Sequence, residues 1–331
     1  MRVLAGDVGG TKTVLAVLEV SNDGVEVRAL RTYPSRDFAS LEDVVARFLA
    51  GEGRGEQPAC DYGGFGIAGP VRGRQAVATN LPWTVDAAVL ESATGLRRVW
   101  LLNDLEGNAW GIGALKDEDF CVLNEGVPHA TGNRAIISAG TGLGEAGMYW
   151  DGVRYRPFAS EGGHGDFAPQ SDQEIALLRF LRRRYGHVSW ERVVSGMGLV
   201  NIFEFLCEYR QATPPPALSA ALEQGEGAAA VSRAAREDGC ALCREALDMF
   251  VHLYGAEAGN HALKIMATGG VYLGGGIAPK ILDRLREPPF LYAFFDKGRM
   301  APLMRDMPVK VVLNEHAALF GPALYAFANG Y

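Results

Sequence analysis

A pattern of strand, glycine turn and strand occurs twice in this sequence, and it limits the folds that the chain can adopt. The first copy has β-type residues from Val3 to Ala5 and from Val14 to Val20, with a glycine turn between them. The second copy runs from a strand over Ala135 to Ser138, through Gly140-Thr141-Gly142, to a strand over Gly144 to Trp150. Because β-type residues follow each turn directly, the pattern predicts two β-hairpins in two related lobes.

Both turns carry groups that suit a phosphate. Asp7-Val8-Gly9-Gly10-Thr11 has two positions without side chains, where backbone N–H groups can approach an anion, and a hydroxyl beside them. Its carboxylate suits Mg²⁺ bound through water or phosphate. A simple β-turn would explain this segment alone, but Gly140-Thr141-Gly142-Leu143-Gly144 offers the same chemistry again. Dinucleotide and P-loop folds are disfavoured, because neither turn leads into a helix and the P-loop lysine motif is missing from the sequence.

A general base is expected at the end of a strand. Val99 to Leu102 has the pattern of a strand that ends on Asn103 and Asp104, and Leu105 to Trp110 follows as a loop that leads into a helix. A carboxylate there can accept the proton of a substrate hydroxyl as its oxygen attacks a phosphoryl group. Asp104 is therefore the candidate base. The alternative interpretation is an N-cap aspartate for the following helix.

A third motif, Glu161-Gly162-Gly163-His164-Gly165-Asp166-Phe167, combines hydrogen-bond donors and acceptors on a glycine-rich loop. This combination is typical of a site for a polyhydroxylated ligand. A metal site is the competing functional interpretation. It is disfavoured because Glu161 and His164 have no Cys or His companion at the spacing of a zinc site.

Composition limits the class of protein. A chain of 331 residues is longer than one hydrophobic core usually serves, so two lobes are expected. Its apolar runs fall short of the ~20 residues that span a bilayer, and the first residues lack a secretory pattern, so we expect no membrane association. The net charge of -7 argues against nucleic acid as a partner. Five scattered cysteines suit a reducing compartment, and a cytoplasmic location is expected.

Other local patterns predict helices and a loop. Ser40 is a good N-cap for a helix that starts at Leu41, and Ser171-Asp172-Gln173-Glu174 is a capping box for another helix. A long helix is expected from about Cys240 to Met266, whereas the Gly/Ala stretch from Gln224 to Ala230 is predicted to be a loop.

Taken together, these residues make the chain similar to the bacterial glucokinase family, within the superfamily of hexokinase, actin and Hsp70-like proteins, over nearly its whole length. The resemblance rests on motifs that occur in the family's order: Gly6-Asp7-Val8-Gly9-Gly10-Thr11, Gly69-Pro70, Thr79-Asn80-Leu81-Pro82-Trp83, Asn103-Asp104, Gly140-Thr141-Gly142-Leu143-Gly144, Glu161-Gly162-Gly163-His164, Asp166-Phe167-Ala168-Pro169, Glu191, Ser195-Gly196 and Gly274-Gly275-Gly276.

One position departs from the family's pattern. Lys12 stands where members often carry Asn, and it is more typical of the related repressor, open-reading-frame and kinase group. That group has a cysteine-rich zinc motif after its Glu-x-Gly-His, and no cysteine occurs here between Cys121 and Cys207. The glucokinase branch is therefore preferred.

The resemblance implies an α/β fold of the two-lobed, actin-like ATPase type (ribonuclease H-like), with ATP and sugar in the cleft between the lobes. The smaller domain would comprise residues 1–115 with about 315–331, and the larger domain residues 116–314. The resemblance also implies that the protein forms a homodimer.

Site roles follow from the same resemblance. Asp104 would be the catalytic base on the 6-hydroxyl of D-glucose. The side chains that hold the sugar would be Asn103, Asp104, Glu161, His164 and Glu191. Binding of ATP with Mg²⁺ would involve two phosphate turns and an adenosine contact: Gly6, Asp7, Val8, Gly9, Gly10 and Thr11 in the first turn, Thr141 and Gly142 in the second, and Gly275 near the adenosine.

Two alternative functions remain open from the sequence. One is a kinase for another hexose, such as mannose or an N-acetylhexosamine, because pocket volume at the 2-position is not visible in a sequence. The other is a sugar-sensing regulator without catalysis, which is disfavoured because the base, both phosphate turns and the sugar loop are intact and no DNA-binding motif accompanies them. Replacement of ATP by ADP or polyphosphate is also left open.

Overall fold

The structure is a computed structural model, and it describes residues 1–51, 60–237 and 239–330. The chain divides into two compact units. Unit 1 contains Met1–Asp119, Pro157–Ala159 and Asn314–Tyr331, and unit 2 contains Phe120–Arg156 and Ser160–Leu313. The predicted domains, residues 1–115 with about 315–331 and residues 116–314, include positions outside the described residues, and their boundaries stay a prediction.

Both units contain strands and helices. In chain order the strands are β1 (Arg2–Val8), β2 (Lys12–Ser21), β3 (Gly24–Pro34), β4 (Tyr62–Ile67), β5 (Val71–Arg72), β6 (Gln75–Val77), β7 (Thr84–Asp86), β8 (Arg98–Asn103), β9 (Phe120–Asn124), β10 (Arg134–Ala139), β11 (Leu143–Trp150), β12 (Tyr155–Ser160), β13 (Val271–Gly274) and β14 (Val309–Val312). The helices are α1 (Leu41–Leu49), α2 (Ala87–Thr94), α3 (Asp104–Ile112), α4 (Asp172–Tyr185), α5 (Gly196–Tyr209), α6 (Pro216–Glu223), α7 (Gly227–Arg236), α8 (Ala241–Ile265), α9 (Leu282–Leu285), α10 (Pro288–Phe295), α11 (Ala301–Asp306) and α12 (Ala317–Asn329).

Unit 1 is built on a five-stranded sheet in the order β3-β2-β1-β4-β8. β1 and β2 form the first predicted hairpin, with antiparallel pairing up to Val8 opposite Thr13. β4 and β8 run parallel to β1. The carboxyl ends of β1 and β8 therefore lie at the same edge of the sheet, which is the edge where open α/β sheets bind ligands.

Both faces of this sheet are covered by helices, as the nearly continuous burial of β1 requires. Val3 and Ala5 pack with Phe320 and its neighbours in α12, whereas Leu4 and Val8 belong to the cluster that contains α1 and α2. α12 also lies very close to α3, because a β-carbon at Gly321 would stand 1.6 Å from the carbonyl oxygen of Gly107. This packing fixes α3 against the sheet.

Unit 2 contains a six-stranded sheet in the order β12-β11-β10-β13-β14-β9. β10 and β11 form the second predicted hairpin, with Ala139 opposite Leu143. β13 and β14 continue parallel to β10, and the buried helix α8 extends over 25 residues, close to the predicted span. The repeated strand–turn–strand pattern of the sequence is thus confirmed in both units.

Most of the local predictions are also confirmed. The Ser40 and Ser171 side chains cap α1 and α4, each by accepting from the N–H three residues ahead. The capping box is modified, because Glu174 accepts from the N–H of Gln170 at 2.6 Å. The loop predicted over residues 224–230 is wrong in its second half, since α7 begins at Gly227 and its alanines favour a helix. In the described residues, none of the helices is long and apolar enough to cross a bilayer.

Candidate active site

The first glycine turn is held closed by a serine that lies outside every motif of the sequence. The N–H of Gly9 donates to the carbonyl of Lys12 at 3.0 Å. The hydroxyl of Ser35 donates to the carbonyl of Gly9 at 2.7 Å and lies 2.9 Å from the hydroxyl of Thr13. Thr11 remains exposed at the tip of the turn. The carbonyls of Gly9 and Lys12 therefore accept hydrogen bonds within the protein, and the hydroxyl of Thr11 faces solvent.

Gly10 is required by a close contact. Neither Gly9 nor Gly10 has a positive φ, so the β-turn interpretation, which needs glycine for its backbone angles, does not explain them. A β-carbon at Gly10 would instead lie 2.5 Å from the β-carbon of Asn80, in the motif Thr79 to Trp83. The motif around Asn80 thus packs directly on the predicted phosphate turn.

Asp7 is the candidate contact for Mg²⁺, and it lies near the carboxyl end of β1, opposite Val14. Burial raises the pKa of Asp7, and the charge of Lys12 partly offsets this effect. Among the described residues there is no group of three or more His, Cys, Asp or Glu that could hold a metal ion. A single carboxylate can contribute to a Mg²⁺ site if water molecules and substrate phosphates supply the other ligands, which is a common arrangement for Mg²⁺.

Asn103 and Asp104 stand where β8 ends and α3 begins. Asn103 is the N-cap, and its side-chain oxygen accepts from the N–H of Leu105 at 3.0 Å. Its amide nitrogen donates to the carbonyl of Gly69 at 3.3 Å. The alternative interpretation of Asp104 as the N-cap is therefore wrong. Asp104 is the first residue of α3, where the helix dipole favours a negative charge.

In unit 2 the second glycine turn is anchored by the side chain of Glu191. Its Oε2 oxygen accepts from the N–H of Leu143 at 3.1 Å, and a β-carbon at Gly142 would lie 2.5 Å from the same oxygen. The carbonyl of Gly140 accepts from the N–H of Gly196 at 2.8 Å, and Thr141 is exposed. The predicted sugar residue Glu191 is thus in direct contact with the predicted phosphate turn.

The predicted sugar loop follows β12 and packs on the same hairpin. A β-carbon at Gly163 would lie 2.2 Å from the carbonyl oxygen of Leu143. Glu161 and His164 are exposed, and the nearest nitrogen and oxygen of the two side chains are 3.9 Å apart. Leu143 therefore touches the loop with its carbonyl and Glu191 with its N–H. Unit 2 brings together Thr141, Gly142, Glu161, His164 and Glu191.

Gly275 lies directly after β13 and beside the end of β10. Its φ of 79° is in the left-handed region, and a β-carbon there would lie 2.3 Å from the carbonyl oxygen of Ala139. The carbonyl of Ala139 also accepts from the N–H of Ile277 at 3.2 Å. Since Ala139 leads into the second glycine turn, Gly275 is close in the fold to the predicted phosphate site.

Comparison with known proteins decides the family. The family model described as glucokinase matches residues 4–329. This chain belongs to the glucokinase family. It is 40% identical over 338 residues to the glucokinase of Nostoc punctiforme, with 98% of each chain covered. It is 41% identical over 349 residues to the glucokinase of Synechocystis sp., with 98% of this chain and 97% of the relative covered. The family resemblance inferred from the motifs is confirmed.

Solved glucokinase structures confirm the predicted fold class. A glucokinase from an Antarctic psychrotroph has a TM-score of 0.81 and 27% identity, with 99% of both chains covered. The fold is also that of a ROK family glucokinase from Streptomyces griseus in complex with glucose and AMPPNP, with a TM-score of 0.66 and 22% identity over 99% of this chain. The α/β fold of the two-lobed, actin-like type is therefore established for this glucokinase family member.

Three interactions around the site had not been predicted from the sequence. Ser35 closes the first turn, and Asp166 pairs with His187 at 2.8 Å, although His187 lies outside every motif. A buried cluster under the sugar loop contains Glu145 and His261. Glu145 follows the second glycine turn directly, and a charged residue at that place in a strand pattern was the available signal.

Proposed function

We propose that this protein is a glucokinase that transfers the γ-phosphoryl group of ATP to the 6-hydroxyl of D-glucose, giving glucose 6-phosphate and ADP. The main support for this activity is the match to the glucokinase family over residues 4–329. The structural observation that supports it best is the double contact of Leu143, whose N–H binds Glu191 and whose carbonyl packs on Gly163. A phosphate turn and a sugar loop that share one residue suit an enzyme whose two substrates react with each other.

Asp104 is the general base of this proposal. The 6-hydroxyl oxygen attacks the γ-phosphorus, its proton passes to the Asp104 carboxylate, and the bond to the ADP oxygen breaks. The first turn of α3 stabilises the ionised carboxylate that this role needs. Asn103 holds the start of α3 through its side-chain oxygen, and its amide can donate its second hydrogen to a sugar hydroxyl.

The remaining sugar hydroxyls are assigned to Glu161, His164 and Glu191. Glu191 uses one carboxylate oxygen for the N–H of Leu143, and its other oxygen can accept from a hydroxyl. Glu161 and His164 are exposed in unit 2, where a ligand can reach them. A charged acceptor rewards a matching hydroxyl and penalises a sugar that lacks it, which gives the site its specificity.

ATP is assigned to the two glycine turns. The first turn (Gly6, Asp7, Val8, Gly9, Gly10 and Thr11), with Thr141 and Gly142 of the second, would bind the phosphates. The N–H of Gly9 is already donated to the carbonyl of Lys12, so the exposed hydroxyl of Thr11 would be one of the contacts. Gly275 would lie against the adenosine, since it adjoins the residue that leads into the second turn. Mg²⁺, when bound, neutralises phosphate charge, and Asp7 would hold it through water or phosphate. We further propose a cytoplasmic homodimer, on the family resemblance; light scattering tests the dimer.

The experiment is a coupled spectrophotometric assay for glucose 6-phosphate formed from glucose and ATP. We expect saturable activity that requires both substrates and a divalent cation. ADP and polyphosphate serve as alternative donors in the same assay. Absence of product, with glucose binding retained in calorimetry, would instead favour a sugar-sensing regulator.

A further inference from the structure

A buried group of ionisable side chains lies directly under the sugar loop. Glu145 on β11 and Glu257 and His261 on α8 are 1%, 0% and 2% exposed. They are brought together by packing of α8 on the sheet of unit 2, and none of them belongs to a motif of the family. The protonation states of three such groups in one apolar interior must leave no charge unpaired, because an unpaired buried charge is strongly unfavourable.

The hydrogen bonds of His261 define one proton. Its Nε2 atom lies 2.8 Å from the carbonyl oxygen of Ala146, and because a carbonyl only accepts, Nε2 carries the hydrogen. Burial lowers the pKa of His261, so the ring is neutral and Nδ1 is an acceptor. Nδ1 lies 3.4 Å from Oε2 of Glu145. Two acceptors would face each other there unless the Glu145 carboxyl group carries a proton.

The surroundings of Glu257 favour the same proton on Glu145. Both oxygens of Glu257 accept hydrogen bonds, from Asn260 at 2.9 Å and from Lys264 at 3.2 Å. Both oxygens of Glu145 are buried, and neither has a hydrogen-bond donor among the described residues. The donors thus stabilise Glu257 as the ionised member, and Glu145 as the protonated member, of the pair.

Two lysines also act on the pair. Lys264 contacts Glu257, and the charge of Glu257 also acts on Lys297. Burial, with the charge of Glu145, raises the pKa of Glu257 to about 7, and burial raises the pKa of Glu145. Because the two groups titrate together, these shifts belong to the pair, which resists losing its last proton near neutral pH.

The sugar loop rests on this carboxyl group. A β-carbon at Gly162 would lie 2.0 Å from Oε2 of Glu145, the same oxygen that faces His261. The N–H of Gly162 donates to the hydroxyl of Ser160 at 3.0 Å. Gly162 separates the loop's two proposed sugar ligands, Glu161 and His164, so a movement of Glu145 changes the backbone that carries both.

We propose that Glu145 is a positioning residue for the sugar loop, and that it holds the loop only while its carboxyl group keeps a proton that it shares with Nδ1 of His261. This inference rests on the proposed binding of glucose by Glu161 and His164. When the proton is lost, the Glu145 carboxylate faces an unprotonated Nδ1 in an apolar interior, and it relieves the repulsion by moving, which displaces Gly162. Glucose binding then weakens, whereas ATP binding, which uses other segments, is retained.

The decisive variant is Glu145→Gln, which has the shape of the protonated acid and can donate a hydrogen bond at every pH. In the wild-type protein we expect the KM for glucose to rise at least about threefold between about pH 6 and about pH 8.5, with little change in the KM for ATP. In Glu145→Gln the KM for glucose should stay within about twofold of its low-pH value across this range. Glu145→Ala should raise it at every pH.

Glu174→Gln is the matched control. Glu174 is another buried glutamate of unit 2, and its carboxylate accepts from the N–H of Gln170 at the start of α4. Its variant should keep the wild-type pH dependence of the KM for glucose. A pH profile of Glu145→Gln that parallels the wild type would overturn the proposal, and so would equal changes in the KM values for glucose and ATP.

Infrared spectroscopy tests the proton without using activity. The wild-type protein at about pH 6.5 should show the carbonyl band of a protonated carboxylic acid that is absent from Glu145→Gln and present in Glu174→Gln. An unchanged band in Glu145→Gln would contradict the shared proton. If the wild type does not phosphorylate glucose at any pH, the proposed function and the positioning role fail together, and the infrared result still decides the shared proton.

Discussion

The carboxylate of Glu191 accepts a hydrogen bond from the backbone N–H of Leu143 at 3.1 Å. One oxygen of a proposed sugar ligand is therefore committed to the proposed phosphate turn that follows β10. In the proposed assignment, sugar recognition and phosphate binding in unit 2 depend on the same side chain, and a change at this position should affect both substrates.

Glu191→Ala should raise the KM for both glucose and ATP. The variant leaves the buried N–H of Leu143 without its acceptor, a loss of about 1–3 kcal/mol, or roughly fivefold to 150-fold in binding. The matched variant Glu161→Ala removes an exposed side chain of the sugar loop and should raise only the KM for glucose. Steady-state kinetics with each substrate varied in turn separate these outcomes. A normal KM for ATP in Glu191→Ala would show that the Leu143 contact does not support the phosphate turn.

Gly10→Ala should weaken ATP binding, because the new methyl group would lie 2.5 Å from the β-carbon of Asn80. Relief of this overlap moves the first turn at a cost of about 1–3 kcal/mol, and we expect the KM for ATP to rise at least about fivefold. Gly113→Ala is the control, since the nearest atom to its added carbon is 3.5 Å away. Unchanged ATP kinetics in Gly10→Ala would exclude the first turn from the nucleotide site.

Glucose should be the best substrate in a panel of hexoses. Its kcat/KM should exceed that of mannose and of 2-deoxyglucose by at least about fivefold, because an absent or inverted hydroxyl leaves a desolvated partner unsatisfied. N-acetylglucosamine should be poorer still. Glu161→Gln should narrow the preference for glucose over the other hexoses and leave the KM for ATP nearly unchanged. If mannose or N-acetylglucosamine is preferred, the assignment of glucose is wrong, and the kinase activity with Asp104 as base is not affected.

Stability should fall as pH rises and the buried pair of Glu145 and Glu257 loses its proton. Burial raises the pKa of both groups, that of Glu257 from 4.5 to about 7, so the folded state binds more protons than the unfolded state between these values. Stability contributed by the protonated pair is complete below the lower value and is lost as pH passes the higher one. We expect this loss to be about 1–3 kcal/mol in wild-type protein and to be reduced in Glu257→Gln. Urea denaturation at several pH values measures the free energy of unfolding. An equal decline with pH in the wild type and in Glu257→Gln would contradict this prediction.

The parts of the fold that are determined by residues adjacent in the sequence could be predicted from it. The two hairpins, the caps at Ser40 and Ser171 and the long helix α8 follow from short patterns. The loop predicted up to Ala230 failed because glycine and alanine together were interpreted as a loop, although alanine is the best helix former and the segment packs on α8 as α7.

The supporting residues of the site could not be predicted, because their contacts join distant parts of the chain. His261 and Ala146 are 115 positions apart, and Ser35 and Gly9 are 26 positions apart. The sequence shows that these residues can form hydrogen bonds but does not show their partners. The candidate ligand residues could be proposed because they occur in motifs, whereas the residues that hold those motifs in place were missed.

The central claim is tested most directly by the kcat of Asp104→Asn. The variant keeps the shape of the side chain at the start of α3 but cannot accept the hydroxyl proton at neutral pH. We predict that kcat falls by ~10²–10⁴-fold, while glucose affinity measured by calorimetry changes far less. A variant that keeps more than about a third of the wild-type kcat would remove Asp104 from the mechanism, since a general base contributes at least ~10²-fold.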